Sequence, residues 1–174
     1  VGDVTLFFSN CNIYPAGEYA RRLEEVRKLS RLADCPLVVD EYDHGAWLAA
    51  VAGLEDEPER GARCRVCFEF SLGRAAVFAR EHGFDALTTS LTISPHKVSA
   101  TIFEIGQRVA DEFLCIDFKK KDGFRRSLEL SRAYGMYRQD YCGCEFSLKA
   151  ARERSRQAQA EAGPVAPDDP QQAV

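Results

Sequence analysis

The 174-residue sequence has no apolar run approaching the roughly 18–20 residues that span a bilayer, which excludes a membrane-crossing helix built from it. A secretory leader is missing too. Val1-Gly2-Asp3 passes straight into the short run Val4–Phe8, with no basic segment or cleavage site, so the cytoplasm is the expected location. No internal repeat is visible. Basic charge is not in excess: 23 Lys and Arg against 27 Asp and Glu give a net charge of −4, which argues against indiscriminate nucleic-acid binding. Lys and Arg are absent altogether between Asp40 and Glu59, a stretch that holds seven acids.

What is present suits one soluble domain. The chain is 45% apolar and 29% charged, and long enough to bury a real core. Residues 1–160 are read as that single domain and 161–174 as a disordered tail, since the Pro, Gln, Asp and Ala at the end show no periodicity. Lys119–Arg138 carries seven bases and two acids, which reads as a phosphate-facing patch or as a solvated helix face.

Strands and helices alternate along the chain. Val4–Phe8, Leu37–Val39, Ala86–Leu91 and Phe113–Ile116 read as strands. Helices are expected after Pro15, at Trp47–Ala52, over Ala62–His82, from Ser94-Pro95 to Ala110, at Phe124–Tyr134 and at Ser147–Ala158. Such alternation predicts an α/β fold, a parallel sheet with helices on both faces and a helical C-terminal segment. Doubly wound folds usually open on a central strand whose C-terminal end carries chemistry. Here the first strand has nothing before it, so an opening strand and helix are expected to be absent from this sequence.

Seven cysteines are many for a protein of a reducing compartment, and close pairs there point to metal or redox chemistry. Cys64-Arg65-Val66-Cys67 puts two thiols on one helical turn, within reach of one metal ion or cluster; zinc, iron–sulfur and thioredoxin-like use all fit the spacing. Cys142-Gly143-Cys144 is either an easily reduced small-ring disulfide or a second pair of ligands closing a four-cysteine zinc site. Cys35 and Cys115 adjoin strands and are expected in the core. Cys11 follows the first strand at the sheet edge where ligands bind, and its role is open. Lys97 in Ser94-Pro95-His96-Lys97 stands at a helix start, a place for an anion contact.

Taken in order, these pieces resemble the QueH-type epoxyqueuosine reductases. Asn10, Asn12-Ile13, Pro15, Glu18-Tyr19 and Arg22 are similar to that family's first motif. Glu57-Pro58-Glu59-Arg60-Gly61 leading into Arg63-Cys64 and Cys67 resembles the second, and Thr88–Leu91 with Ser94-Pro95 and Lys97 the third. Asp117-Phe118-Lys119-Lys120 and Tyr137–Cys144 with Ser147 complete a resemblance covering roughly residues 4–150. Cys11 stands where the family has proline, Ser71 where arginine usually follows the cysteine pair, and His96 where tyrosine is preferred.

The resemblance implies a Rossmann-like fold and reduction of the epoxide of epoxyqueuosine in tRNA to queuosine, the last step of queuosine biosynthesis. It implies Cys64 and Cys67 as two ligands of a 4Fe-4S cluster, and Cys142 and Cys144 as a redox-active disulfide. The family's other two ligands, an adjacent Cys-Cys pair near its N-terminus, are not in this sequence. Lys97, Lys119, Lys120, Lys121, Arg125, Arg126 and Arg138 are the candidate contacts to the tRNA. An electron donor of unidentified chemistry is a further expected partner. The alternatives are a zinc-stabilised RNA-binding module and a catalytically inactive homologue.

Overall fold

The first strand of the chain pairs with the second through a helical crossover. The computed structural model describes residues 3–161. β1 (Leu6–Phe8) and β2 (Leu37–Val39) are parallel, with Leu6 beside Leu37, Phe7 beside Val38 and Phe8 beside Val39. Between them runs α1 (Ala16–Ala33). Its Tyr19, Leu23 and Val26 recur at helical spacing and close over Phe8, Ile13 and Leu37. The helix stops at Asp34, which turns left-handed at φ 46°.

The rest is mostly helix: α2 (His44–Ala50), α3 (Ala62–Glu81), α4 (Ser99–Val109), α5 (Gly123–Ala133) and α6 (Glu145–Glu161). α3 lays Phe68 and Leu72 against Ile102 and Ile105 of α4, with Phe113 beneath. Gly106 makes this possible, because a Cβ there would stand 2.5 Å from the Phe113 ring. None of the described helices is long and apolar enough to cross a membrane.

The expected helices are present, with ends shifted by a few residues; the expected sheet is not complete. Among the described residues the sheet has two strands, and a full Rossmann-like sheet with helices on both faces is not formed. The predicted strands Ala86–Leu91 and Phe113–Ile116 reduce to one parallel bridge, Leu87 to Phe113. The cause lies in the threonines. Thr88 Oγ1 donates to the Leu114 carbonyl at 2.9 Å, and Thr92 Oγ1 to the Ile116 carbonyl at 2.9 Å. Hydroxyls thus take the carbonyls that a ladder would use. The Thr89 hydroxyl accepts from Leu91 N and starts a 3-10 turn at Ser90–Ile93. With one bridge only, Cys115 is exposed rather than in the core, and Cys35 is half-buried. The tail expected at 161–174 lies outside the described residues, apart from residue 161, which ends α6.

Asp40, just after β2, ties the sheet to α3. It accepts from Ser9 Oγ at 2.5 Å and from Arg74 Nε and Nη2 at 2.5 and 2.7 Å. Burial alone would raise the Asp40 carboxyl, but these bonds outweigh it and hold the carboxyl below its ordinary range. A depressed folded value means the contribution is full at neutral pH and disappears as the pH falls from the unfolded value, about 4, through the folded one. Asp40→Asn should therefore cost roughly 1–3 kcal/mol at pH 7 in urea denaturation, with the gap to wild type closing below about pH 4. A gap unchanged by acid would remove the carboxylate from this account.

Candidate functional site

Four loops converge at one end of α3. The first turn of that helix is set by its acidic approach. The Glu57 carboxylate accepts from Ala62 N at 2.9 Å, filling the space a Cβ on Gly61 would need, 2.4 Å from Glu57 Oε2. Arg63 is buried, and its Nη1 donates to the carbonyls of Leu54, Glu55 and Glu57. Its guanidinium lies over Phe146 of α6, 4.6 Å from the ring centroid. The Glu57 carboxylate and the backbone carbonyls of residues 54–57 thus help fold the turn that presents Cys64 and Cys67.

Cys64 accepts a hydrogen bond from Arg60 N at 3.3 Å. Burial nevertheless pushes its thiol up, and pushes Cys67 up to about 12. The Trp47 indole N–H is buried with no acceptor in hydrogen-bonding geometry among the described residues; its nearness to the Cys67 sulfur opposes that shift. Neither thiol is ready-made as an anion. A metal would have to displace the proton.

The second cysteine pair meets the first here. Cys144 is buried with Cys11, Trp47 and Val51, and Cys67 packs against the same cluster. Cys142 accepts from Lys97 Nζ at 2.8 Å. Burial by itself would lower Lys97, but the sulfurs of Cys142, Cys64 and Cys67 reverse the effect and hold it above the usual lysine value. Lys97 is an ammonium among three sulfurs, and it also lies over Phe68, 5.2 Å from the ring centroid. A small cavity of about 20 Å³ opens beside Cys64 and Lys97, with His96 at its rim.

The Cys142-Gly143-Cys144 loop is held from several sides. Arg22 Nη1 donates to the Cys142 carbonyl at 2.9 Å and Nη2 to the Tyr141 carbonyl at 3.2 Å, while Nε is paired with Glu18 at 2.8 Å. Tyr137 Oη donates to Glu18 at 3.0 Å. Tyr14 N donates to the Gly143 carbonyl at 2.8 Å, and Ser147 Oγ accepts from Gly143 N at 3.3 Å. The motif residues around Asn12 and Arg22 therefore act on the motif around Cys142, from the far end of the chain.

His44 carries no signal in the sequence beyond its type. Its Nδ1 donates to the Cys11 carbonyl at 2.7 Å, which fixes the ring, and Nε2 lies 3.3 Å from Glu145 Oε1. The ring stacks between Tyr14 and Trp47. Cys11 itself is buried, donates to the Glu41 carbonyl at 3.3 Å, and has its thiol pushed up by burial.

The basic candidates separate into groups. Lys119 points inward: its Nζ donates to Ser99 Oγ at 2.6 Å, Thr92 O at 2.8 Å and Lys97 O at 3.2 Å. It braces the loop that carries Lys97. Lys120 and Lys121 are exposed. Arg125 is paired with Asp122 and Glu129, and Arg126 with Glu129. Arg138 donates to Ser131 Oγ at 2.9 Å. All seven cysteines are free thiols, and no three His, Cys, Asp or Glu among the described residues form a group that would hold a metal ion. As placed, the four cysteines are two facing pairs, not a closed tetrahedral site.

Fold and site define a class: a mixed α/β protein in which two cysteine pairs are brought together around a lysine. The family model described as "Epoxyqueuosine reductase QueH" matches residues 2–150, and the chain belongs to that family. Relatives carrying the same name are similar over most of its length. The Streptococcus pyogenes serotype M1 protein is 41% identical over 157 residues, covering 84% of this chain and 62% of the relative. That from Acinetobacter baylyi is 38% identical, covering 84% and 70%, and that from Thermotoga maritima 35%, covering 88% and 84%. The chain thus spans less than two thirds of the length of the streptococcal relative.

Proposed function

We propose that this chain carries the centre that reduces the epoxide of epoxyqueuosine in tRNA to queuosine. The observation that supports the reading best is the Lys97–Cys142 contact of 2.8 Å beside Cys64 and Cys67, because it joins an oxidisable thiol pair to a candidate ligand pair. Deoxygenating an epoxide to an alkene breaks two C–O bonds, forms a C=C bond and releases water, consuming two electrons and two protons. Closing Cys142 and Cys144 into a disulfide releases two electrons and two protons.

Cys64 and Cys67 fit as two ligands of a 4Fe-4S cluster, being soft thiols one helical turn apart; the remaining ligands are not among the described residues. When bound, such a cluster supplies single-electron transfer. Lys97 Nζ holds a proton at the Cys142 sulfur. Phe68 and the half-buried loops limit water around this pair. Lys119 fixes the carbonyl of Lys97 and with it the reach of the ammonium.

The test takes the protein extended by an N-terminal segment bearing the family's Cys-Cys pair, reconstitutes it with iron and sulfide, and incubates it anaerobically with dithionite and tRNA bearing epoxyqueuosine, followed by nucleoside mass spectrometry. The expected product has lost one oxygen. No conversion, under conditions where the streptococcal relative converts, would end the proposal.

The exposed lysines contact tRNA phosphates in this reading. Lys120→Ala with Lys121→Ala should flatten the salt dependence of tRNA binding by about 0.7–0.9 log unit per lost contact, as fluorescence anisotropy across a salt series would show. Lys119→Ala should behave differently. It leaves three acceptors unpaired, lowering stability by about 1–2 kcal/mol while the salt slope stays. A slope that falls with Lys119 alone would reverse these assignments.

A further inference from the structure

Six surface arginines of this protein are matched with carboxylates. Arg27 and Arg31 meet Glu24, Arg65 meets Glu104, Arg108 meets Glu69, and Arg125 and Arg126 meet Glu129. α6 departs from that pattern. Between Lys149 and Arg156 it holds four bases and one acid. Lys149, Arg152 and Arg156 fall within one narrow stripe of the helix, since they sit at i, i+3 and i+7. All three are exposed, and among the described residues none has a carboxylate within ion-pair distance. They line a groove of about 280 Å³ with Glu153 and, at its upper end, Glu145 and Tyr14. Glu145 is already turned to His44, which leaves the groove net positive.

Tyr14 gives the groove a second kind of contact. Tyr14 is 43% exposed and its ring rests on His44, with centroids 5.6 Å apart and planes 24° from parallel. Its backbone is tied to the thiol loop through the Gly143 carbonyl. It is therefore a rigid aromatic surface beside the reactive cysteines, continuous with a row of unmatched cations roughly 10 Å long.

We propose that this face of α6 is an RNA-contact surface, with Lys149, Arg152 and Arg156 on backbone phosphates and Tyr14 under an unstacked base. Cations in a row with an adjacent aromatic platform are what single-stranded RNA needs: phosphate neutralisation plus stacking. Arg152 and Arg156 lie beyond residues 2–150, so this part of the surface belongs to this chain rather than to the family match. The inference rests on the tRNA reading and adds to it where the strand leaves the thiol centre.

The experiment is anisotropy of a labelled, unmodified tRNA transcript across a salt series, with variants checked for folding by circular dichroism. R152A/R156A should flatten the log–log salt slope by about 1.5, the loss of two phosphate contacts. R152K/R156K should restore most of it. Y14A should weaken binding roughly 5- to 100-fold at constant salt slope, as loss of one stacked base does. If the wild type binds and R152A/R156A keeps its slope, the surface is wrong while the tRNA reading stands. If the wild type shows no salt-dependent binding of tRNA at all, the tRNA reading fails and takes the surface with it.

Discussion

In a version extended to carry the cluster's other two ligands, Cys142→Ser and Cys144→Ser should each reduce epoxyqueuosine turnover to below about one-thousandth while leaving the iron and sulfide content of the reconstituted protein nearly intact. Cys64→Ser or Cys67→Ser should instead bleach the visible absorption. The difference follows from position. Cys64 and Cys67 lie on one helical turn with their thiols pushed up by burial, so a metal is what would make them anions. Cys142 already has an ammonium at 2.8 Å and sits on a separate loop, which suits a thiol that opens and closes rather than one that stays ligated. Metal analysis, absorption spectra and mass spectrometry with and without reductant read the two roles separately. Equal metal loss from both pairs, with no Cys142–Cys144 disulfide ever detected, would overturn the division and bring back a shared four-cysteine site.

Gly143→Ala should lower turnover at least about 100-fold, although it touches no sulfur. Gly143 is buried with φ +145°, a conformation L residues rarely adopt. A Cβ there would also stand 3.1 Å from Asn12 Nδ2, 3.2 Å from Arg22 Nη1 and 3.3 Å from Ile13 Cγ1. Both the strain and the crowding act on the loop that aims Cys142 at Lys97. The expected result is a large fall in kcat, a stability loss of roughly 1–3 kcal/mol, and iron content close to wild type. Near-normal turnover would show that the clamp by Arg22 and Tyr14 N does not set the position of the thiol.

The sequence made the thiols of the centre visible but not their assembly. Two cysteines three residues apart, and two flanking a glycine, stand out locally. That Cys67 and Cys144 share one cluster with Cys11 and Trp47 depends on contacts between residues tens of positions apart, which no local pattern encodes. Lys97 read as an anion contact at a helix start, and it does face a sulfur, supplied by a loop 45 residues on. The run Lys119-Lys120-Lys121 looked uniform, yet Lys119 alone is drawn inward by Ser99 and two carbonyls. His44 was invisible because a single histidine ahead of a tryptophan carries no spacing signal. Helices were legible from their periodicity. The strands at 86–91 and 113–116 misled because threonine favours strands by shape but here bonds through its hydroxyl.

The clamp on the thiol loop also orders events in time. Arg22 grips the carbonyl of a residue 120 positions later, and at a translation rate of about 5–20 residues per second that partner is made roughly 6–24 s after it. The helix bearing Cys64 and Cys67 emerges in the interval, its buried side still open. The nascent chain therefore presents Cys64 and Cys67 to solution well before the Cys142–Cys144 loop exists to cover them. Closure of the centre falls to the last part of the family-matched sequence to leave the ribosome.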